Sequence, residues 1–297
     1  MYDIIIIGGG PAGLTAALFA KRHGLDVIVL DNPEQPSNMF LAYCVENWPG
    51  TEKIAGQALL DNMRRQVKKL GIPIRNEKAV TLSKGFLVRT PENHYESRSL
   101  ILSMGMKNRK ADINGEEKFL GKGVSYCTCC DAPLFKNKTA VVIGGGNSAV
   151  HGALMLKDIA KKTYLIHRRD KLRAEKVLAD RLDGVEIIWD STPEEIMGKK
   201  TVEKLKIKNI KTGESRMIET DSVFIEIGYV PTTELVKGIN VKIDSCGFII
   251  TDNEKKTNIP GVFSAGDVSS NVLKQITTAV SDGSVAAVSA YKYIKGE

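Results

Sequence analysis

The sequence predicts an α/β protein that contains two Rossmann-like units. An apolar strand, a glycine-rich loop, a helix and a second strand follow one another near the N-terminus, and the same order returns around Gly144. The two glycine loops lie about one domain length apart, so the repeated βαβ pattern favours two separate domains. A chain of 297 residues is long enough for two domains of about 150 residues each.

Composition and charge exclude several other classes of protein. Hydrophobic residues make up 42% and charged residues 26% of the chain, which is typical of folded soluble proteins. No apolar run approaches the roughly 20 residues that span a bilayer, and the opening MYDIIIIGGG lacks the basic start of a secretory signal. We therefore expect a cytoplasmic protein with no membrane partner. The net charge of +7 comes from scattered Lys and Arg residues, so we also expect no nucleic-acid partner.

The first unit begins with a buried strand at residues 4–7, followed by a glycine loop and a helix at residues 11–23. Gly8 permits the tight turn, Gly10 lets a pyrophosphate approach the backbone, and Gly13 lets the helix pack closely on the strand. The free N–H groups at the start of the helix attract phosphate. The predicted nucleotide-binding residues of this loop are Gly8, Gly10, Pro11, Ala12 and Gly13.

A second strand at residues 26–30 completes this unit and ends at Asp31. A carboxylate at this position can hold ribose hydroxyls. The glycine pattern alone is a weak signal, because a strand-to-helix turn without a ligand can share it. Its place inside a complete βαβ unit of the expected length favours nucleotide binding.

The second unit repeats this arrangement with a strand at residues 138–143, a helix at residues 150–160 and a strand at residues 163–166. Its loop is predicted to bind a second nucleotide through backbone N–H groups and small side chains. The loop residues assigned to this role are Gly144, Gly146, Asn147, Ser148 and Ala149.

The end of the second strand differs between the two units. Where the first unit has Asp31, the second has His167, Arg168 and Arg169, with Arg173 four residues further on. A short basic run is ordinarily a solvated turn. Guanidinium groups at this point in a nucleotide-binding fold pair with a 2′-phosphate, which a carboxylate would repel. We therefore predict an NADPH site and expect NADH to be a poorer donor.

Three of the five cysteines fall within four positions of the segment YCTCCDAP at residues 126–133. Such a cluster suits a metal knuckle, a structural disulfide or a redox centre. In a reducing compartment, paired cysteines are more often catalytic or metal-binding than structural. Zinc usually takes four ligands in spaced pairs, and neither Cys44 nor Cys246 forms a second pair. We therefore predict no metal site and treat Cys44 and Cys246 as incidental thiols.

Taken together, the motifs resemble a known enzyme family. The order GGGPAG, ENWPG, CxxCD, GGGNSA, HRRDKLRAEK and GVFSAGDV is similar to that of the low-molecular-weight NADPH-dependent thioredoxin reductases. The resemblance covers essentially the whole chain. It implies an FAD domain at residues 1–108 and 232–297, into which an NADPH domain at residues 111–229 is inserted. It also implies a homodimer and a rotation of the NADPH domain about connectors near residues 108–110 and 230–232.

The resemblance assigns the chemistry to the cysteine segment. It makes Cys127 and Cys130 the redox pair, with Cys130 against the flavin, Cys127 as the attacking sulfur and Asp131 as the acid. Cys129 is then a bystander. Electrons would pass from NADPH to FAD, then to the disulfide and on to thioredoxin or a thioredoxin/glutaredoxin-like protein. Further cofactor-binding positions implied by the resemblance are Asn47, Gly228, Gly266, Asp267, Lys274, Gln275 and Ile276.

Two segments depart from the family pattern, and both belong to the implied FAD domain. EQPSNM at residues 34–39 replaces a usual Gly-Gly-Gln run, and Ser103-Met104-Gly105 replaces a usual Ala-Thr-Gly. Rival hypotheses are an FAD-dependent dithiol oxidase, a reductase with another donor, and a thiol sensor or metal-binding protein. The intact arginines after the second unit argue against a donor other than NADPH.

Overall fold

The computed structural model describes residues 1–42, 45–83 and 85–297, so Cys44 lies outside the described residues. The chain forms two compact units. The first comprises Met1–Lys107 and Val230–Glu297, and the second comprises Asn108–Tyr229. Among the described residues, no helix combines the length and apolar character that crossing a bilayer requires.

The first unit starts with β1 (Tyr2–Ile7), α1 (Pro11–Arg22) and β2 (Val27–Leu30). Ile4 to Ile7 are buried, and β1 pairs in parallel with β2. Pro11 begins α1, where its missing N–H is harmless. Gly24, with φ at 79°, follows the helix in the left-handed conformation that favours glycine.

The rest of the first segment adds strands to this sheet and a second helix. These elements are α2 (Gly56–Lys69), β3 (Ile74–Arg75), β4 (Thr81–Ser83), β5 (Leu87–Arg89) and β6 (His94–Leu102). The segment ends with β7 (Met106–Asn108), which lies outside this sheet.

On α2, the sequence predicts an apolar stripe from the helical spacing of Leu59, Met63, Val67 and Leu70. The stripe is confirmed for Leu59 and Val67, which are buried, and in part for Met63. The prediction is wrong for Leu70, which lies beyond the last helical residue and is 38% exposed.

The second unit contains a parallel sheet and an antiparallel one. Its elements are β8 (Val124–Ser125), α3 (Thr128–Asp131), β9 (Thr139–Gly144), α4 (Asn147–Lys157), β10 (Lys162–Ile166), α5 (Lys176–Ala179), β11 (Glu186–Ile188), β12 (Ser191–Met197), β13 (Lys204–Asn209), β14 (Ser215–Glu219) and β15 (Ser222–Glu226).

The parallel sheet of the second unit has the order β11-β10-β9-β15-β8, and β12, β13 and β14 form the antiparallel sheet. The strand β9, the glycine loop after it and α4 therefore occupy the centre of a Rossmann-like arrangement. The predicted helix at residues 150–160 begins three residues earlier than expected, because Asn147 directly follows the glycine loop.

The chain then returns to the first unit through β16 (Tyr229–Pro231), which pairs with β7. Two further elements follow, β17 (Val262–Ser264) and α6 (Ile276–Lys295). In the sheet of the first unit, β3, β2, β1, β6, β5 and β4 lie in that order and β17 pairs with β6. The α/β class with two Rossmann-like units is confirmed.

The helix α6 packs against α1 at very short range. A methyl group added at Gly283 would lie 2.1 Å from the backbone oxygen of Ala12. Contact this close requires that position 283 carry no side chain, so the two helices approach through backbone rather than through side chains.

Replacement of Gly283 by alanine should lower the free energy of unfolding by about 1–3 kcal/mol, because the two helices must move apart. The gain in helix propensity, about 1 kcal/mol, offsets only part of this cost. Urea denaturation of Gly283→Ala measures the change. Ser281→Ala, on the exposed side of the same helix, should stay within about 0.5 kcal/mol of the unmodified protein. Unchanged stability of Gly283→Ala would contradict the tight contact.

Candidate functional site

The cysteine segment forms a disulfide at the start of a short helix. Cys127 is the residue that precedes α3, and its sulfur accepts a hydrogen bond from the backbone N–H of Cys130 at 3.2 Å. Cys127 and Cys130 are joined by a disulfide, with their Cα atoms 5.3 Å apart. The outer two cysteines of the CxxC turn therefore pair, as the resemblance implies. Asp131 ends α3, and its backbone N–H donates to the carbonyl oxygen of Cys127 at 3.2 Å.

The third thiol lies close to this disulfide but has a different character. The sulfur of Cys129 is 3.4 Å from that of Cys127. Burial raises the pKa of the Cys129 thiol to about 11, and the charges of Glu226 and Asp131 act in the same direction. The thiolate is the reactive form of cysteine, so Cys129 is poorly reactive at neutral pH.

Glu226, at the end of β15, holds the first residue of the redox helix. The hydroxyl of Thr128 donates to the Glu226 carboxylate at 3.0 Å. Burial raises the pKa of Glu226 to about 7, while hydrogen bonds from the Thr128 side chain and backbone lower it. Thr128 also packs closely against Gly152 of α4, where an added methyl group would lie 2.8 Å from the Thr128 hydroxyl oxygen. Sequence reasoning missed Glu226, although a carboxyl closing the apolar strand SVFIE was a usable signal.

At Gly144, the backbone of the second glycine loop leaves no room for a side chain. Gly144 has φ at 151°, and a methyl group there would lie 2.2 Å from the backbone oxygen of Glu226. At Gly146, in contrast, an added methyl group would meet no atom within 4 Å. No side chain caps the start of α4. The first-turn N–H groups are thus available to an anionic ligand, and the space beside Gly146 is open for it.

Small polar residues at the start of α4 make contacts within the second unit. The side chain of Asn147 donates to the Glu175 carboxylate at 2.9 Å and accepts the backbone N–H of Glu175 at 2.9 Å. The hydroxyl oxygens of Ser148 and Tyr229 lie 3.4 Å apart. Ala149 is buried, and Gly228 has φ at 107° with its carbonyl oxygen accepting from the Arg109 N–H at 2.9 Å. These contacts hold the side chains of Asn147 and Ser148 in place beside the loop.

The basic segment after β10 lies against this second glycine loop. A methyl group added at Gly145 would lie 2.3 Å from the His167 ring, and the backbone N–H of Arg173 donates to the Gly145 oxygen at 2.7 Å. His167 is buried, its Nε2 has no hydrogen-bond partner among the described residues, and burial lowers its pKa. Arg168, Arg169 and Arg173 are exposed. The predicted phosphate-binding residues and the loop therefore share one face of the second unit.

The first glycine loop packs on the sheet in the predicted way. Gly8 has φ at 111°, and a methyl group there would lie 2.2 Å from the Ser103 oxygen. One added at Gly13 would lie 1.9 Å from the Gly8 oxygen, whereas at Gly10 the nearest atom is the Ser37 hydroxyl oxygen at 3.2 Å. No side chain caps α1, which begins at Pro11. The loop thus leaves the first-turn N–H groups of α1 for a phosphate, with the Ser37 side chain close to Gly10.

Asp31 lies at the edge of the first loop, as predicted, but with a partner that the sequence did not indicate. Its carboxylate accepts the backbone N–H of Gly9 at 2.9 Å and forms an ion pair with Arg64 at 2.6 Å. Arg64 comes from α2, and only the folded chain brings the two residues together.

Both segments that depart from the family pattern support this first loop. The Ser103 hydroxyl donates to the backbone oxygens of Ile7 at 2.9 Å and Gly8 at 3.1 Å. In the EQPSNM segment, the Ser37 hydroxyl lies beside Gly10, and the Gln35 side chain donates to the Thr232 hydroxyl at 2.9 Å. Ser103 and Ser37 therefore supply contacts of their own around the loop.

The C-terminal positions converge in the first unit. The side chain of Asn47 donates to Gln275 at 3.1 Å across a sequence separation of 228 residues. Gln275 caps α6, which begins at Ile276.

Two charged residues from the same region are desolvated. Burial raises the pKa of Asp267 to about 6, opposed by the charge of Lys274. The Lys274 ammonium lies 4.0 Å from the centre of the Phe248 ring, and burial lowers its pKa. The preceding Gly266 has φ at 78°, and its N–H donates to Asp282 at 3.1 Å.

Comparison with known proteins identifies the relatives of this chain. Residues 2–283 match the family model described as pyridine nucleotide-disulphide oxidoreductase. A thioredoxin reductase of Treponema pallidum is 40% identical over 99% of this chain and 97% of its own. A Clostridium pasteurianum protein, described as a 34.2 kDa protein in the rubredoxin operon, is 42% identical over 99% of this chain and 98% of its own. A crystal structure of Lactococcus lactis thioredoxin reductase is 38% identical, covers 100% of both chains and has a TM-score of 0.96.

The raised pKa of Cys129 predicts slow alkylation. At about pH 7.5, a pKa two units above the ordinary value makes the thiolate about a hundredfold scarcer. Iodoacetamide should therefore modify Cys129 about a hundredfold more slowly than the exposed Cys246. The Cys129 rate should rise about tenfold per pH unit up to about pH 10. Mass spectrometry of peptides from the oxidised protein measures both rates, and equal rates at about pH 7.5 would contradict the burial of Cys129.

Proposed function

The chain belongs to the pyridine nucleotide-disulphide oxidoreductase family, and we propose that it acts as a thioredoxin reductase with NADPH as the electron donor. The observation that carries this proposal is the Cys127–Cys130 disulfide, which lies in the same unit as the basic nucleotide loop. A pyridine nucleotide delivers hydride, and a CxxC disulfide exchanges electrons with another disulfide. One unit therefore carries the groups for both ends of the reaction.

The residues of the second unit fit NADPH. The uncapped start of α4 and the open space beside Gly146 accept the pyrophosphate. Arg168, Arg169 and Arg173 would hold the 2′-phosphate through charge-assisted hydrogen bonds. In the part of the chain that the structure describes, the buried Nε2 of His167 has no hydrogen-bond partner, which supports a polar contact from a ligand there.

The residues of the first unit fit FAD. The uncapped start of α1 would accept a pyrophosphate next to Gly10, and Asp31 would hold ribose hydroxyls. Asn47, Gly266, Asp267, Lys274, Gln275 and Ile276 would complete this site. When bound, FAD couples hydride transfer to reduction of the disulfide.

The reduced cysteines would act by thiol–disulfide exchange. The Cys127 thiolate would attack one sulfur of the partner disulfide, and the other partner sulfur would leave as a thiolate. Cys130 would then attack Cys127, which re-forms the Cys127–Cys130 bond and releases the second partner thiolate. Asp131 would supply protons to the departing thiolates. In the oxidised structure Cys130 is exposed and Cys127 half-buried, so the identity of the attacking sulfur requires a direct test.

The proposal extends to the partner, the assembly and the setting. The physiological partner would be thioredoxin or a thioredoxin/glutaredoxin-like protein, and the enzyme would work as a homodimer in the cytoplasm. The NADPH domain at residues 111–229 would rotate against the FAD domain at residues 1–108 and 232–297. The paired strands β7 and β16, which contain both chain crossings, are where this rotation would occur.

Serine variants of the cysteines test the disulfide. Cys127→Ser and Cys130→Ser should each abolish NADPH-dependent thioredoxin reduction without loss of bound FAD, because neither can form the disulfide. Cys129→Ser, the matched control, should keep most of the activity. If Cys127 attacks first, Cys130→Ser should accumulate a mixed disulfide with thioredoxin, and Cys127→Ser should not. Loss of activity in Cys129→Ser with both cofactors still bound would contradict the assignment.

Alanine variants of the arginines test the donor. Charge-assisted hydrogen bonds contribute about 1.5–3 kcal/mol, so Arg168→Ala or Arg169→Ala should weaken NADPH about ten- to a hundredfold. The KM for NADH should hardly change. Arg216→Ala is a suitable control, because Arg216 is an exposed residue of β14 in the same unit. Equal losses for NADPH and NADH would show that these arginines do not recognise the 2′-phosphate. Flavin reduction by NADPH under argon separates this function from that of an oxygen-dependent dithiol oxidase.

A further inference from the structure

The end of β15 links the redox helix to the second glycine loop through one residue. The backbone oxygen of Glu226 faces Gly144 so closely that no side chain fits there. The carboxylate of Glu226 accepts the Thr128 hydroxyl at 3.0 Å. Thr128 lies between the two redox cysteines in sequence and is itself buried. Glu226 therefore contacts the nucleotide loop through its backbone oxygen and the first turn of the redox helix through its carboxylate.

Glu226 is half-buried, and the desolvation that raises its pKa makes its charge costly and effective. A desolvated carboxylate requires hydrogen-bond donors, and the Thr128 hydroxyl and backbone N–H serve in that role. Electrostatic interactions are stronger in such surroundings than in water. The charge of Glu226 acts on the neighbouring Cys129 thiol and disfavours its thiolate. The same charge must disfavour negative charge elsewhere on this short turn.

We propose that Glu226 is a positioning residue that fixes the redox helix through Thr128 and shifts the dithiol–disulfide equilibrium of Cys127 and Cys130 toward the disulfide. Opening the disulfide adds two electrons and creates thiolate character on α3, which a nearby carboxylate opposes. Destabilising the reduced form makes it a stronger reductant, because the equilibrium depends on the relative stability of the two forms. The benefit of this shift for a reductase rests on the proposed function, whereas the shift itself does not.

The test measures the thiol–disulfide equilibrium of the flavin-containing protein in buffers of reduced and oxidised dithiothreitol. In this exchange, Cys127 and Cys130 gain two electrons as dithiothreitol closes its own disulfide. The two protons that dithiothreitol loses pass to the cysteines or, where one of them stays a thiolate, to the buffer. Acid quenching, alkylation and mass spectrometry give the dithiol fraction. NADPH and thioredoxin are not needed, so a wrong donor or partner would leave this measurement intact.

Glu226→Gln keeps an oxygen that can accept the Thr128 hydroxyl but removes the charge. We expect it to shift the equilibrium constant toward the dithiol by about three- to tenfold, where tenfold corresponds to about 30 mV for a two-electron couple. Glu219→Gln is the matched control, because Glu219 is in the same unit and its side chain is 79% exposed. Its equilibrium constant should stay within about twofold of the unmodified protein, as expected for an exposed charge.

A second variant keeps the test decisive if Glu226→Gln folds poorly. Thr128→Val preserves the shape of the side chain and removes the hydroxyl that stabilises the carboxylate. It should shift the equilibrium in the same direction by a smaller factor. A residue that served only folding would lower the unfolding temperature without moving the equilibrium. An unchanged equilibrium constant in a folded variant, or a shift toward the disulfide, would overturn the proposal.

Discussion

Close contact between backbone atoms at the ends of β1 and β9 is the constraint on which both sites depend. A methyl group added at Gly13 would lie 1.9 Å from the Gly8 oxygen, and one added at Gly144 would lie 2.2 Å from the Glu226 oxygen. Glycine at these positions lets the helix begin directly above the strand. The N–H groups of that helix then face an open space that suits a pyrophosphate.

In the second unit the same contact also organises the redox chemistry. Because β15 packs against Gly144, its last residue is fixed beside the glycine loop. The side chain of Glu226 reaches Thr128 from that position. The nucleotide loop and the disulfide are thus connected through the end of one strand, although 17 residues separate Cys127 from Gly144 in the sequence.

Local patterns explain how much of this structure the sequence predicts. The strands and glycine loops depend on residues close in the chain, so their spacing predicts them well. The pairing of Cys127 with Cys130 was predicted from the resemblance to the thioredoxin reductase family. Glu226, Arg64 and Ser37 were missed because their roles arise from contacts between distant segments. The same reason explains Leu70, whose helical spacing indicates burial although α2 ends one residue earlier.

The two desolvated acids also depend on tertiary structure. Folding raises the pKa of Asp267 from 3.8 to about 6 and that of Glu226 from 4.5 to about 7. Because the folded state favours the protonated form of each, their ionisation opposes folding. The loss of folding stability grows as the pH rises from the pKa of each group in the unfolded state to its pKa in the folded state.

The most direct test of the central claim is a titration of the purified flavin-containing protein with NADPH under argon. Flavin absorbance and alkylatable thiols should be followed together. The account predicts that about two equivalents of NADPH per chain are needed for full flavin reduction. Two additional thiols, Cys127 and Cys130, should appear during the titration. Full flavin reduction by one equivalent, with the Cys127–Cys130 disulfide intact, would contradict the account.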